Sequence, residues 1–225
     1  MAPATETIVL LHGTGRTPRS LKPLEKRLQA AGYPTLNLAY PWRSMDIPHL
    51  AAFVADTLAA NGLCQDNNRL HFVTHSMGGL VCAYMLGDLR ARFPAGCIGR
   101  VVMLGPPLQG SEVADVLGNW AAYRWLYGPA GQDLRTTSRL LDGTTPDYPL
   151  GIIAGTVGWP YPTGLLIPGA HDGRVAVART RWAGMSDHLE LPVMHSLLPS
   201  DRRVQGQVLA FIATGAFNTH PQNSP

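Results

Sequence analysis

Ser76, Asp172 and His195 have the types and the chain order for nucleophilic acyl chemistry. Ser76 stands in Val73-Thr74-His75-Ser76-Met77-Gly78-Gly79, where a short apolar run meets a glycine pair. A serine in a sharp strand-to-helix turn is held on a strained backbone with its hydroxyl clear of the sheet. The turn needs small residues two positions before and after the serine, because strand and helix pass close together there. Gly78 meets that need, whereas Thr74 is β-branched and crowds the turn. A serine followed by glycine at such a junction can also be a plain helix N-cap, the competing reading.

A serine nucleophile needs a base and an acid that orients the base. On a fold whose nucleophile sits in such a strand-to-helix turn, the expected order is serine, acid, histidine, with the histidine after the last strand. Of the eight histidines, His195 follows the late strand candidate His188–Leu191 and precedes the final helix. Asp172, in Gly169-Ala170-His171-Asp172-Gly173, lies in a polar turn after the preceding strand. Its competing reading is an ordinary Asp-Gly turn; Asp147 and Asp187 are the fallback acids.

The same chemistry requires two backbone N–H groups aimed where negative charge develops on the acyl oxygen, each worth about 2.7–4 kcal/mol in the transition state. Met77 follows the nucleophile, and Thr14 lies in the turn His12-Gly13-Thr14-Gly15 after the first strand. These two are the expected oxyanion donors. As a phosphate loop this turn lacks the third glycine of G-x-G-x-x-G and any following Gly-Lys-Ser/Thr.

Positioning these groups needs an alternation of short strands and amphipathic helices. Strands are expected at Thr7–Leu11, Thr35–Ala39, Leu70–Thr74, Arg100–Leu104, Ile152–Thr156 and His188–Leu191. Helices are expected at Ser20–Ala31, Pro48–Ala60, Gly78–Phe93 and Arg203–Thr214. The alternation predicts an α/β fold of about six mostly parallel strands flanked by helices on both faces. One domain is expected over residues 1–219, with an insertion or cap at about 106–149 and a flexible tail at 220–225. Ligands bind outside the carboxyl ends of such strands. The residues expected to border a substrate are therefore His12, Gly13, Tyr40, Trp42, His75 and Pro106. Trp120, Tyr123, Trp125, Tyr127, Trp159 and Tyr161 read equally as an acyl pocket or as core.

His12-Gly13-Thr14-Gly15, Thr74-His75-Ser76-Met77-Gly78-Gly79, Ala170-His171-Asp172-Gly173 and Met194-His195, in that order, resemble the α/β-hydrolase superfamily. The nearest likeness is to small bacterial lipases and esterases of the minimal lipase A-like type and of the lipase class 2 and PGAP1-like kind, from Ile8 to about Phe217. The resemblance implies a minimal α/β-hydrolase fold and ester cleavage through an acyl-serine. Ser76 would attack, His195 would carry the proton and Asp172 would hold His195. Thioester or amide cleavage on the same triad, and a non-catalytic binding protein of the same fold, are the alternatives.

The resemblance implies a small acyl ester or lipid as the substrate, and composition excludes several other partners. Apolar residues make up 45% and charged residues 15% of 225, which excludes a disordered chain. The net charge of +3 is scattered, with no aromatic-interleaved basic patch for nucleic acid. Cys64, Cys82 and Cys97 show no CxxC spacing, and neither a zinc nor a calcium motif occurs, so no metal or cofactor is expected. No apolar run reaches the length of a membrane span, and the N-terminus lacks a signal-peptide pattern. The expected location is cytoplasmic, or secreted as a mature form without its leader. Nothing in the sequence sets the oligomeric state.

Overall fold

In the computed structural model the described residues are 5–65, 68–159 and 161–218. The expected tail at 220–225 lies outside them. Six strands form one sheet: β1 (Thr5–Leu11), β2 (Thr35–Leu38), β3 (Asn68–His75), β4 (Ile98–Leu104), β5 (Leu150–Gly155) and β6 (Asp187–Leu191). Their order across the sheet is β2-β1-β3-β4-β5-β6, and every pairing is parallel. The mostly parallel sheet expected from the alternation is thus wholly parallel. All six residues of β5 are buried, as expected for a strand covered on both faces.

Helices α1 (Lys22–Ala30), α2 (Ile47–Ala60), α3 (Met77–Asp88), α4 (Glu112–Leu117), α5 (Ala121–Tyr127), α6 (Ala130–Asp133), α7 (Val177–Thr180) and α8 (Arg202–Thr214) are the α-helices among the described residues. The 3.6-residue spacing of Ile47, Leu50, Val54 and Leu58 gives α2 one buried face. Asp46 caps α2 by accepting from the His49 N–H at 3.0 Å. With α3, α2 builds an apolar layer on one side of the sheet around Phe72 and Val101. On the other side, α1 and α8 cover Ile8, Leu10, Val73 and Val102 with Leu24, Leu28, Val208 and Phe211. These two layers fix the carboxyl ends of the strands, where the turns that concern function lie.

Two helices differ from the sequence reading. The helix expected from Gly78 to Phe93 ends at Asp88, and a 3-10 turn, Arg90–Arg92, follows. Pro94 disfavours helical backbone at the residue before it, and Phe93 is extended. The helix expected from Ser20 begins as a 3-10 turn, Pro18–Leu21, before α1. Between β4 and β5 the chain makes only the short helices α4, α5 and α6.

Candidate active site

Ser76 links β3 to α3 with φ 56° and ψ −128°. It is the sole non-glycine residue with positive φ among the described residues. Holding such a conformation costs about 1–3 kcal/mol, so the surrounding structure must enforce it. The Ser76 N–H donates to the Leu104 carbonyl of β4 at 2.8 Å, and the Ser76 carbonyl accepts from Gly79 N–H at 2.8 Å. Its side chain makes no capping hydrogen bond to α3. A helix cap therefore does not account for this serine.

The packing shows why small residues follow. A Cβ at position 78 would lie 2.5 Å from the Leu11 carbonyl oxygen and 2.7 Å from that of His12, both backbone atoms. At Gly13 an added Cβ would lie 2.8 Å from the Ser76 Cβ, so the β1 turn rests directly on the serine. Thr74 is fully buried, and its hydroxyl has no hydrogen-bond partner.

His195 opens the 3-10 turn His195–Leu197 that follows β6. Its Nδ1 lies 2.6 Å from Asp172 Oδ2, with both side chains buried. A carboxylate can only accept, so Nδ1 carries a proton, and in the neutral ring Nε2 is then the nitrogen with the lone pair. The other carboxylate oxygen, Oδ1, accepts from the N–H groups of Arg174 (3.0 Å) and Val175 (2.8 Å). The His195 N–H donates to the Asp172 carbonyl at 3.0 Å, a second tie between the two turns. The fallback acids are occupied elsewhere. Asp147 pairs with Arg90 at the surface, and Asp187 accepts from the His188 and Phe217 N–H groups.

His75 supports His195 from beside the serine. Its Nε2–H donates to the His195 carbonyl at 3.0 Å, and the two rings lie 4.8 Å apart. Burial, then the charge of His195, push its pKa well below the ordinary value, so His75 is a neutral strut. His12 is also buried and its pKa lowered by burial. It stacks on Tyr40 at 4.4 Å, and the Tyr40 hydroxyl donates to the His12 carbonyl. Burial raises the Tyr40 pKa. The turn carrying Thr14 is thus braced from below.

Ser76, His195, His75 and Thr14 open onto one cavity of about 240 Å³. Thr14 and Met77 are coupled through a Thr14 hydroxyl contact to the Met77 sulfur at 2.9 Å. Met77 is the first residue of α3, where the N–H groups have no acceptor within the helix. Tyr123, Tyr127 and Tyr161 form an aromatic wall of the cavity. Trp120, Trp125 and Trp159 instead point to solvent. Of the residues expected to border a substrate, His12, Gly13, Tyr40, Trp42 and Pro106 do not line this cavity. Trp42 packs against the core, and Pro106 is buried against Gly79.

Sequence reasoning passed over Arg16 and Arg174, which do line the cavity. Their signal was adjacency: each lies two residues after a residue singled out for the site, Thr14 and Asp172. Ser111, at the N-terminus of α4, makes no cap and instead lines the cavity, its hydroxyl 3.3 Å from the Arg174 carbonyl. Among the described residues no group of three or more His, Cys, Asp or Glu is placed to hold a metal ion. No described helix is long and apolar enough to cross a membrane.

A model of the alpha/beta hydrolase family matches residues 8–217, and the chain belongs to that family. Solved structures of similar fold include the mature lipase BlEst2 of Bacillus licheniformis, at 20% identity and TM-score 0.68, over 95% of this chain and 93% of that one. The propeptide form of the same lipase is spanned over only 53% of its length, at 19% identity, 99% of this chain and TM-score 0.70. The metagenomic carboxyl esterase MGS0156 is similar at 19% identity and TM-score 0.68, over 88% of this chain and 67% of its own. No curated protein matches the sequence.

Proposed function

We propose that this chain is a serine hydrolase that cleaves carboxylic esters through an acyl-serine intermediate. The observation that carries the reading is that His195, paired with the buried Asp172, opens onto the same cavity as a serine held at positive φ. In this reading Ser76 Oγ attacks the acyl carbon while His195 Nε2 takes its proton. Asp172 holds the imidazole in the tautomer that can accept and offsets the positive charge that forms. The carbonyl oxygen, now negative, lies against the Thr14 and Met77 N–H groups. Collapse expels the alcohol, which takes the proton from His195. Water, activated by the same nitrogen, then releases the acid and regenerates Ser76.

A fluorophosphonate probe and a p-nitrophenyl acyl ester test this together. Wild-type protein should be labelled at Ser76 and turn over the ester, and Ser76→Ala should do neither while keeping its thermal transition. Turnover that persists in Ser76→Ala would overturn the reading. The same protein assayed on a matched thioester and amide defines the leaving group.

A further inference from the structure

The cavity wall has a charge that ester hydrolysis alone does not require. Arg16 and Arg174 line it, and no Asp or Glu does. Arg174 is half-buried. Its guanidinium lies over the Tyr161 ring at 5.3 Å, and its Nη1 is 3.4 Å from the Tyr127 hydroxyl. The aromatic contacts hold the planar group at the cavity but give it no counter-charge. Six other arginines do have carboxylate partners: Arg90, Arg92, Arg139, Arg179, Arg181 and Arg203. Neither Arg16 nor Arg174 makes an ion pair among the described residues. The adjacent carboxylate, Asp172, has both oxygens committed, one to His195 and the other to two backbone N–H groups.

Both guanidinium groups line the same cavity as Ser76 and His195, so their charges face the space in which the acyl group would lie. A guanidinium fork matches a carboxylate or phosphate, and its charge persists at any working pH.

We propose that the cavity selects substrates carrying an anionic oxyacid group, a carboxylate or a phosphate, which Arg174 and Arg16 hold while the acyl carbon lies at Ser76. The inference rests on the serine-hydrolase reading of the same cavity and adds the charge of its substrate. Arg174, stacked and half-buried, is the fixed element. Arg16, exposed on the turn after β1, supplies the second charge. The neutral walls Tyr123, Tyr127 and Tyr161 take the apolar part of the molecule.

The test is binding to Ser76→Ala protein, which does not depend on turnover. Hexanoate, hexyl phosphate and hexan-1-ol share one apolar chain and differ in charge. Titration calorimetry should show one or both anions binding at least about tenfold more tightly than hexan-1-ol, the scale of one charge-assisted hydrogen bond. Added to the Ser76→Ala background, Arg174→Gln should remove most of that difference, Arg174→Lys should retain part of it, and Arg16→Gln should reduce it. Arg16 is exposed, so its variant retains the fold even if Arg174→Gln does not. Raising the salt concentration should narrow the difference by screening. Tighter hexyl phosphate assigns a phosphate substrate, and tighter hexanoate a carboxylate one. Equal binding of the anions and the alcohol, or a difference that survives both glutamine substitutions, would overturn the proposal. Failure of Ser76 to react with the fluorophosphonate probe would instead overturn the hydrolase reading, and leaves this binding comparison intact.

Discussion

Replacing Asp172 by Asn separates the acid's role in catalysis from its role in folding. The side chain is buried, with 2.6 Å to His195 Nδ1 on one oxygen and two backbone N–H groups on the other. Asn keeps an oxygen for the two N–H groups and turns its NH₂ towards His195. That donor can be met only if Nδ1 gives up its proton, and the proton then sits on Nε2. His195 can then no longer accept from Ser76. In serine triads this tautomer error lowers kcat about 10⁴-fold, equivalent to about 5 kcal/mol. The stability cost is smaller, because a neutral hydrogen bond replaces a charge-assisted one, a net loss of about 1 kcal/mol. For a chain of this length that lowers Tm by about 2–4 °C. Steady-state hydrolysis of a p-nitrophenyl ester and thermal unfolding measure the two effects separately. Asp147→Asn and Asp187→Asn are the controls and should keep kcat within a few-fold of wild type. A loss of less than tenfold in Asp172→Asn, or an equal loss in either control, would refute the assignment of the acid.

Other outcomes follow from packing and protonation. Gly78→Ala should destabilise by about 1–3 kcal/mol or more, since its Cβ would meet the Leu11 and His12 carbonyls; Gly206→Ala in α8, where an added Cβ has nothing within 4 Å, should stabilise by about 0.5–1 kcal/mol in denaturant titration. Thr74→Val removes a buried hydroxyl without a partner and should raise stability by about 1 kcal/mol, while Thr74→Asn should lower it. Folded His75 prefers the neutral form, whereas the unfolded chain takes up a proton below its ordinary value of 6.5. Stability should therefore fall as pH drops below that value, with a slope of up to about 1.4 kcal/mol per pH unit from this group until its folded pKa is passed. His12 and His71 shift in the same direction. Urea titrations from pH 7 to pH 5 should show the fall, and a flatter slope in His75→Gln; an unchanged slope would contradict the neutral strut.

Much of this was legible in the residues because it depends on local pattern. The strands read from apolar runs begin within two residues of their observed starts, and both turns of the site fall at the ends of β1 and β3. Chain order singles out Asp172 and His195 as candidate acid and base, and a parallel sheet converts that order directly into neighbouring strand ends, where the two side chains pair. The cavity wall was not legible. Tyr123 and Tyr127 stack on one side of a seven-residue helix while Trp125 between them faces solvent. Two turns are too short for periodicity to say which side is covered. Tyr40 and Trp42 follow a strand end as expected for site residues, yet they turn inward to brace His12 and the core. Arg174 was not legible because what sets it apart is the lack of an ion-pair partner among the described residues, a property of three-dimensional neighbours and not of spacing.

The position of β6 at the edge of the sheet has a consequence for how the protein fails. Ser76 follows β3, an interior strand hydrogen-bonded on both sides, whereas His195 follows β6, whose one neighbour is β5 and whose residues are half-exposed. In the proposed mechanism, breathing of that single ladder withdraws His195, the base, while Ser76 stays in place. Mild denaturant should therefore silence turnover before the far-ultraviolet circular dichroism changes, with β6 amides exchanging hydrogen faster than those of β3. In the proposed mechanism activity is then a more sensitive gauge of partial opening than helix content, because the acid and the base follow the two strands of an edge ladder.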